Sequence, residues 1–116
     1  YDPVAYFREN KPVRGSSDLK FDYKGSSFQF ANTDNRAAFA ANPEKFQPQY
    51  GGYCAFGTAR GYKADIDPAS FSVIDGKLYL NYNKSVQQQW SKDTAGEIRK
   101  ADERWPTVKA SDKVIR

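Results

Sequence analysis

The chain has no histidine, no methionine and a single cysteine among its 116 residues. Lack of histidine removes the commonest general base and the commonest metal ligand. A lone cysteine forbids an intramolecular disulfide, so cysteine counting does not fix the redox compartment. No apolar run approaches the roughly 20 residues that a membrane-spanning helix needs. Aliphatic residues are also sparse: hydrophobic residues make up 39% of the chain, with eight Tyr, eight Phe and two Trp prominent among them. A core of that composition is aromatic, and its buried tyrosines bring hydroxyls that need partners.

The length fits one domain able to bury a core without disulfides or structural metal. Net charge is +4, with 10 basic and 9 acidic side chains in residues 1–83 and 8 against 5 in residues 84–116. That is a mildly basic C-terminal part, not the dense Lys/Arg cluster of a nucleic-acid binder, and nucleic acid is not an expected partner. The first residue is Tyr1, not Met, which reads as a processed or trimmed form from which any targeting segment would have been lost upstream.

Local signals are frequent. Asp2-Pro3 before Val-Ala-Tyr-Phe reads as an N-cap with proline at the first helical position. Leu19, Phe21 and Tyr23 alternate with polar residues as a strand, Gly25-Ser26 turns, and Phe28-Gln29-Phe30 returns as a hairpin partner. Thr33 is expected to cap a helix reaching about Ala41, and Asn42-Pro43-Glu44 starts another turn of helix. Residues 53–60 read as helical and 62–67 as an extended strand ended by Asp67-Pro68. Asp75-Gly76 between FSVI and KLYL is a type I′ hairpin signature, because both turn positions need positive φ. Ser85-x-x-Gln88 and Thr94-x-x-Glu97 read as capping boxes opening two helices. Val86 and Trp90 share a face of the first; Ile98, Ala101 and Trp105 share a face of the second, which Pro106 is expected to end. The fold class is therefore α+β, a small antiparallel sheet built from hairpins with peripheral helices, covering residues 1–106. Residues 107–116 read as a flexible C-terminal tail.

The stretch Gln49–Gly57, QYGGYCAFG, holds the only thiol. As a metal ligand, Cys54 would have to be joined by Asp65 and Asp67 or by tyrosine oxygens, a poor zinc set. Copper(I) prefers soft sulfur, and a homodimer would bring two Cys54 thiolates together. A haem takes Cys or Tyr as an axial ligand, but no attachment motif is present. As a reactive thiol, Cys54 is expected in the first turn of a helix, with Arg60 and Lys63 near in sequence, an arrangement that favours thiolate. Against that, no histidine serves as base and no second cysteine resolves an oxidised intermediate. As a packing residue, Cys54 behaves as a small hydrophobe where glycines let the backbone approach a sheet. The same loop is a candidate ligand wall, with Tyr50 and Tyr53 as polar contacts to a small ligand. Asp65-x-Asp67 with Asp75 could suggest paired carboxylates, but Asp67 reads as starting a turn with Pro68 and Asp75 as supplying the I′ turn, so no catalytic residue is assigned. Tyr79, Tyr82 and Trp90 form a candidate stacking platform, for which strand packing at Tyr79 is the simpler account.

Five segments together carry a resemblance: YDPVAYF at 1–7, FQFANTDNRAAFAANPEKF at 28–46, QYGGYCAFG at 49–57, GYKADIDP at 61–68 and DGKLYLNYNKSVQQQW at 75–90. In this order they resemble the YHS domain family, and more narrowly its small secreted or periplasmic bacterial members. The resemblance implies a YHS/TRASH-like fold and a periplasmic or secreted location. Wider relatives carry a metal-binding pattern in which aromatic and proline packing positions fall on Phe28, Phe30, Phe39, Pro43 and Phe46. Its two cysteine positions fall on Ala31 and Asn35, and the Tyr-His-Ser triplet has no counterpart, so metal binding at that place does not carry over. The expected function is a non-catalytic binding or sensing module, with a soft metal such as copper or a small ligand near Cys54. A thiol-based redox enzyme or sensor, and a purely structural or interaction domain, are the alternatives. Accessibility of Cys54 separates the three.

Overall fold

Asp2 and Pro3 start the first helix, as their order in the chain requires. One oxygen of the Asp2 carboxylate accepts from the backbone N–H groups of Val4 (2.9 Å) and Ala5 (3.2 Å), and proline takes the first helical position of α1 (Pro3–Arg8). These contacts come from a computed structural model that describes residues 1–116. The architecture is α+β, made of three two-stranded sheets and a set of short helices. The chain divides into two compact units, Tyr1–Gln47 with Val73–Leu78, and Pro48–Ser72 with Tyr79–Arg116.

In the first unit, β1 (Ser16–Tyr23) and β2 (Ser26–Phe30) pair antiparallel, with Phe21 opposite Phe28 and a bulge between Ser16 and Lys20. The turn is centred on Lys24 and Gly25, both at positive φ, one residue earlier than the expected Gly25-Ser26. Helix α2 (Thr33–Ala41) is capped by Asn32, whose side chain accepts from the Asn35 N–H at 2.8 Å. Thr33 is thus the first helical residue, not the cap. Helix α3 (Pro43–Phe46) starts on its proline alone, since Asn42 makes no side-chain capping bond. Val4, Phe30, Phe39 and Phe46 form the buried core, and Phe39 sits at its centre. Around Phe39 lie the rings of Phe28 (4.7 Å), Phe30 (5.3 Å), Phe21 (5.9 Å) and Tyr23 (6.2 Å). The core is aromatic, as the composition requires.

Asp2 ties this unit together. It is 0% exposed, and its second oxygen accepts from Ala31 N–H (2.9 Å) and Asn35 Nδ2 (2.8 Å). Asn35 in turn accepts from Arg8 Nη1 at 3.0 Å. One carboxylate so joins α1, the end of β2 and α2.

The second unit contains α4 (Ala55–Ala59), β3 (Lys63–Ala64), α5 (Lys84–Ser91), α6 (Thr94–Lys109) and β6 (Val114–Ile115). Between β3 and α5 run β4 (Phe71–Ile74) and β5 (Lys77–Leu80), a hairpin with Asp75 at φ 52° and Gly76 at φ 74°, the I′ geometry its sequence announces. The extended segment expected at 62–67 shortens to β3, which pairs parallel with β6. Neither expected capping box forms. Asn83 caps α5 through Val86 N–H (2.8 Å) and Asp93 caps α6 through Gly96 N–H (3.2 Å). In both helices an Asn or Asp stands upstream of the hydroxyl residue and takes the cap first.

Pro106 does not end α6. Proline has no N–H to donate to the turn before it, yet α6 continues to Lys109, with Ala101 and Val108 buried on either side of the proline. Lys63 Nζ donates to the carbonyls of Lys109 (3.1 Å) and Ser111 (2.5 Å), a cation at the negative end of the helix. Residues 107–116, expected as a tail, thus carry the last turn of α6 and the strand β6. No helix is long and apolar enough to cross a membrane.

Replacing Asp2 with Ala strands the N–H groups of Ala31 and of the first turn of α1, together with the Asn35 amide. Denaturant unfolding should show a loss of about 3 kcal/mol or more. A loss under about 1 kcal/mol would mean that the four bonds contribute little.

Candidate functional site

The glycines of QYGGYC reverse the chain. Tyr50 (φ 57°), Gly51 (φ 62°) and Gly52 (φ 83°) are successive left-handed residues in a 3-10 turn over Gln49–Gly52. Glycine adopts this region without cost, whereas tyrosine does so only where its surroundings hold it. Tyr50 is held by its hydroxyl, which donates to Asp102 Oδ1 at 2.9 Å, and by its ring, 6.0 Å from each of Tyr79 and Trp105. A Cβ on Gly51 would stand 3.3 Å from the Trp105 ring, so a side chain there would press on that ring as well as strain the backbone at positive φ. Burial, with Asp102 beside it, pushes the Tyr50 phenol well above the ordinary tyrosine range.

Out of this turn comes Cys54. It was expected inside the first turn of a helix; it stands one step earlier, as the N-cap of α4. Its backbone N–H donates to Ala64 O at 3.1 Å, and a parallel bridge joins it to Leu80. Its carbonyl accepts from both the N–H and the hydroxyl of Thr58, each at 3.0 Å. The sulfur accepts from Gly57 N–H at 3.4 Å and faces Asn81 Oδ1 at 3.6 Å, to which the thiol donates. The residue is 2% exposed. Burial raises the thiol above its ordinary range; the N–H groups of Gly57, Tyr82 and Phe56 and the charge of Arg60 pull the other way and do not prevail. Cys54 is a neutral, covered thiol.

Asn81 is the residue the sequence reading missed. It is 0% exposed; its Oδ1 accepts from Phe56 N–H (3.1 Å), its N–H donates to Ser70 O (3.0 Å) and its carbonyl accepts from Asp67 N–H (3.0 Å). Its Nδ2, like Trp90 Nε1, has no partner within the protein. The available signal was a single polar residue in the apolar run Leu78-Tyr79-Leu80-Asn81-Tyr82.

The other candidates disperse. Tyr53 is half-buried with Lys63 Nζ 5.1 Å above its ring. Arg60 lies over the Phe56 ring at 3.3 Å and grips the buried Glu97 carboxylate at 2.6 and 3.3 Å. Asp65 pairs with Arg116 at 3.1 Å. Asp67 is a turn residue, accepting from Ala69 N–H (3.0 Å) and Ser70 Oγ (2.9 Å). No group of three or more His, Cys, Asp or Glu side chains is placed to hold a metal ion, so Cys54, Asp65 and Asp67 do not form a centre. Tyr79 is buried with its ring 5.4 Å from Trp90, whereas Tyr82 is exposed and its hydroxyl donates to Arg116 O, so the three do not make one stacking surface. Ala31 and Asn35 are both committed to Asp2. No protein-family model matches the chain, and no curated protein or solved structure matches it either.

A thiol pKa raised in the folded state gives a definite sign. The folded chain holds the thiol proton more tightly than the unfolded chain, so this stability is complete below the unfolded thiol value of about 8.5. It is lost as pH rises through the folded value. Unfolding measured across the alkaline range should therefore show wild type losing stability above about pH 8.5 more steeply than Cys54→Ala. Equal slopes would contradict the burial of the thiol.

Proposed function

We propose that the chain is a non-catalytic binding module of the YHS type, in which Cys54 holds the fold and does no chemistry. The observation that carries this reading is the 2% exposure of Cys54, with its sulfur engaged by Gly57 N–H and Asn81. A nucleophile or sensor needs an exposed thiolate beside a base or cations; here the thiol is covered, its proton is held, and Arg60 is spent on Glu97. The reading gives copper(I) no site within one copy of the chain, because the single sulfur has no second soft ligand. A thiolate-bridged homodimer would need Cys54 to leave its cover.

The YHS assignment itself rests on the five sequence segments. It is supported by the packing of Phe28, Phe30 and Phe46 around Phe39 and by the capped Asp2-Pro3 start, the places where the resemblance puts them. With the assignment goes a periplasmic or secreted location, which the same segments imply.

Two measurements test the reading. Native-state alkylation of Cys54 should run at least about 100-fold slower than in the denatured chain, as befits a thiol freed only by opening. Copper(I) titration should give the same stoichiometry for wild type and Cys54→Ala. Fast alkylation, or one copper lost with the cysteine, would move the function to the thiol.

A further inference from the structure

We infer that the edge of β3 is a docking strip for an extended, basic peptide, and that the chain's own residues 114–116 fill it in cis. This goes beyond the reading of Cys54 and does not depend on it. The observation is how the segment is held. Lys63 pairs with Val114 and Ala64 with Ile115 in parallel register, and Asp65 N–H donates to Ile115 O at 2.7 Å. Tyr82 Oη donates to Arg116 O at 3.1 Å, and Arg116 Nη1 meets Asp65 Oδ1 at 3.1 Å.

Apart from that ion pair, these contacts read main chain alone. Ile115 leaves its side chain 52% exposed, while Val114 is half-buried. The strip therefore selects an extended backbone with an apolar residue two places before an arginine or lysine, and asks little else of the sequence. Asp65 gives the strip its charge preference, since the amine of Lys63 is turned to the carbonyls of Lys109 and Ser111. An acidic peptide would meet repulsion at that carboxylate.

The cis segment is lightly fastened. Its pairing spans two residues, and both partners of its ion pair are exposed. Segments with few buried contacts open far more often than the unit as a whole. Each opening uncovers the unpaired N–H and C=O groups of β3, and a bare strand edge takes up extended chains by adding them as a further strand. The short connection from α6 gives the cis segment a high effective concentration, so an outside peptide binds only as the latch loosens.

The probe is a synthetic peptide of residues 111–116, Ser-Asp-Lys-Val-Ile-Arg, titrated into the full-length, isotopically labelled protein and followed by amide chemical shifts. In the Arg116→Glu chain, whose cis ion pair is gone, shifts at residues 63–65 and 82 should saturate at about tenfold lower peptide than in wild type. A peptide ending in Glu, or an added Asp65→Lys change, should abolish them. The proposal is overturned if Arg116→Glu shows no shifts, if it and wild type respond alike, or if the Glu peptide binds as well. A concentration-dependent dimer with the same shifts and no peptide would overturn it too, by making a second copy the occupant.

Discussion

A buried amide on Asn81 fixes the surroundings of the only thiol. Its side-chain oxygen takes the Phe56 N–H at the start of α4 and faces the sulfur of Cys54, while its own backbone fastens the turn over Asp67–Ser70. A polar group taken from water costs free energy unless it is bonded, and inside a protein those bonds are stronger than in solvent. In this arrangement the oxygen, N–H and carbonyl of Asn81 are satisfied, while its Nδ2 has no partner within the protein. Cys54 inherits its position from that arrangement. The amide that faces the thiol cannot move without orphaning the Phe56 N–H, and two main-chain bonds to Ser70 and Asp67 hold the residue that carries it.

The other unit is built on the same principle with a different side chain. Asp2 places four donors on one carboxylate and so joins a helix cap, a strand end and a second helix. Both units combine a fully buried polar hub with layers of aromatic rings, Phe39 and its neighbours in one and Tyr50, Tyr79, Trp90 and Trp105 in the other. This is a coherent answer to a composition rich in aromatics and poor in aliphatics. The rings bury most of the apolar area, and the hub sets the directions in which the chain enters and leaves. Chemistry that needs a mobile, solvated thiol is incompatible with such a site.

Much of the local structure was legible. Asp2-Pro3 and Asp75-Gly76 each state their conformation in two residues, because cap and turn geometry depend on the chain alone. The helix starts at Thr33, Ser85 and Thr94 were misread by a residue or two, since Asn32, Asn83 and Asp93 precede them and cap just as well. Pro106 misled for a different reason: packing of Ala101 and Val108 outweighs one lost hydrogen bond. The pairing of β3 with β6 joins residues about fifty apart, and no local pattern encodes it. The site was legible in part. QYGGYC declared its backbone freedom, but the partner that decides the chemistry, Asn81, lies distant in sequence and carries no motif.

The central claim is that Cys54 is a covered, protonated packing residue. Its ionisation in the native protein, followed through the carbon shift of a labelled cysteine, tests that claim most directly. The structure predicts a midpoint above the ordinary thiol value of about 8.5. A midpoint clearly below it would show a stabilised thiolate, and would contradict the account of Cys54 and the non-catalytic reading built on it.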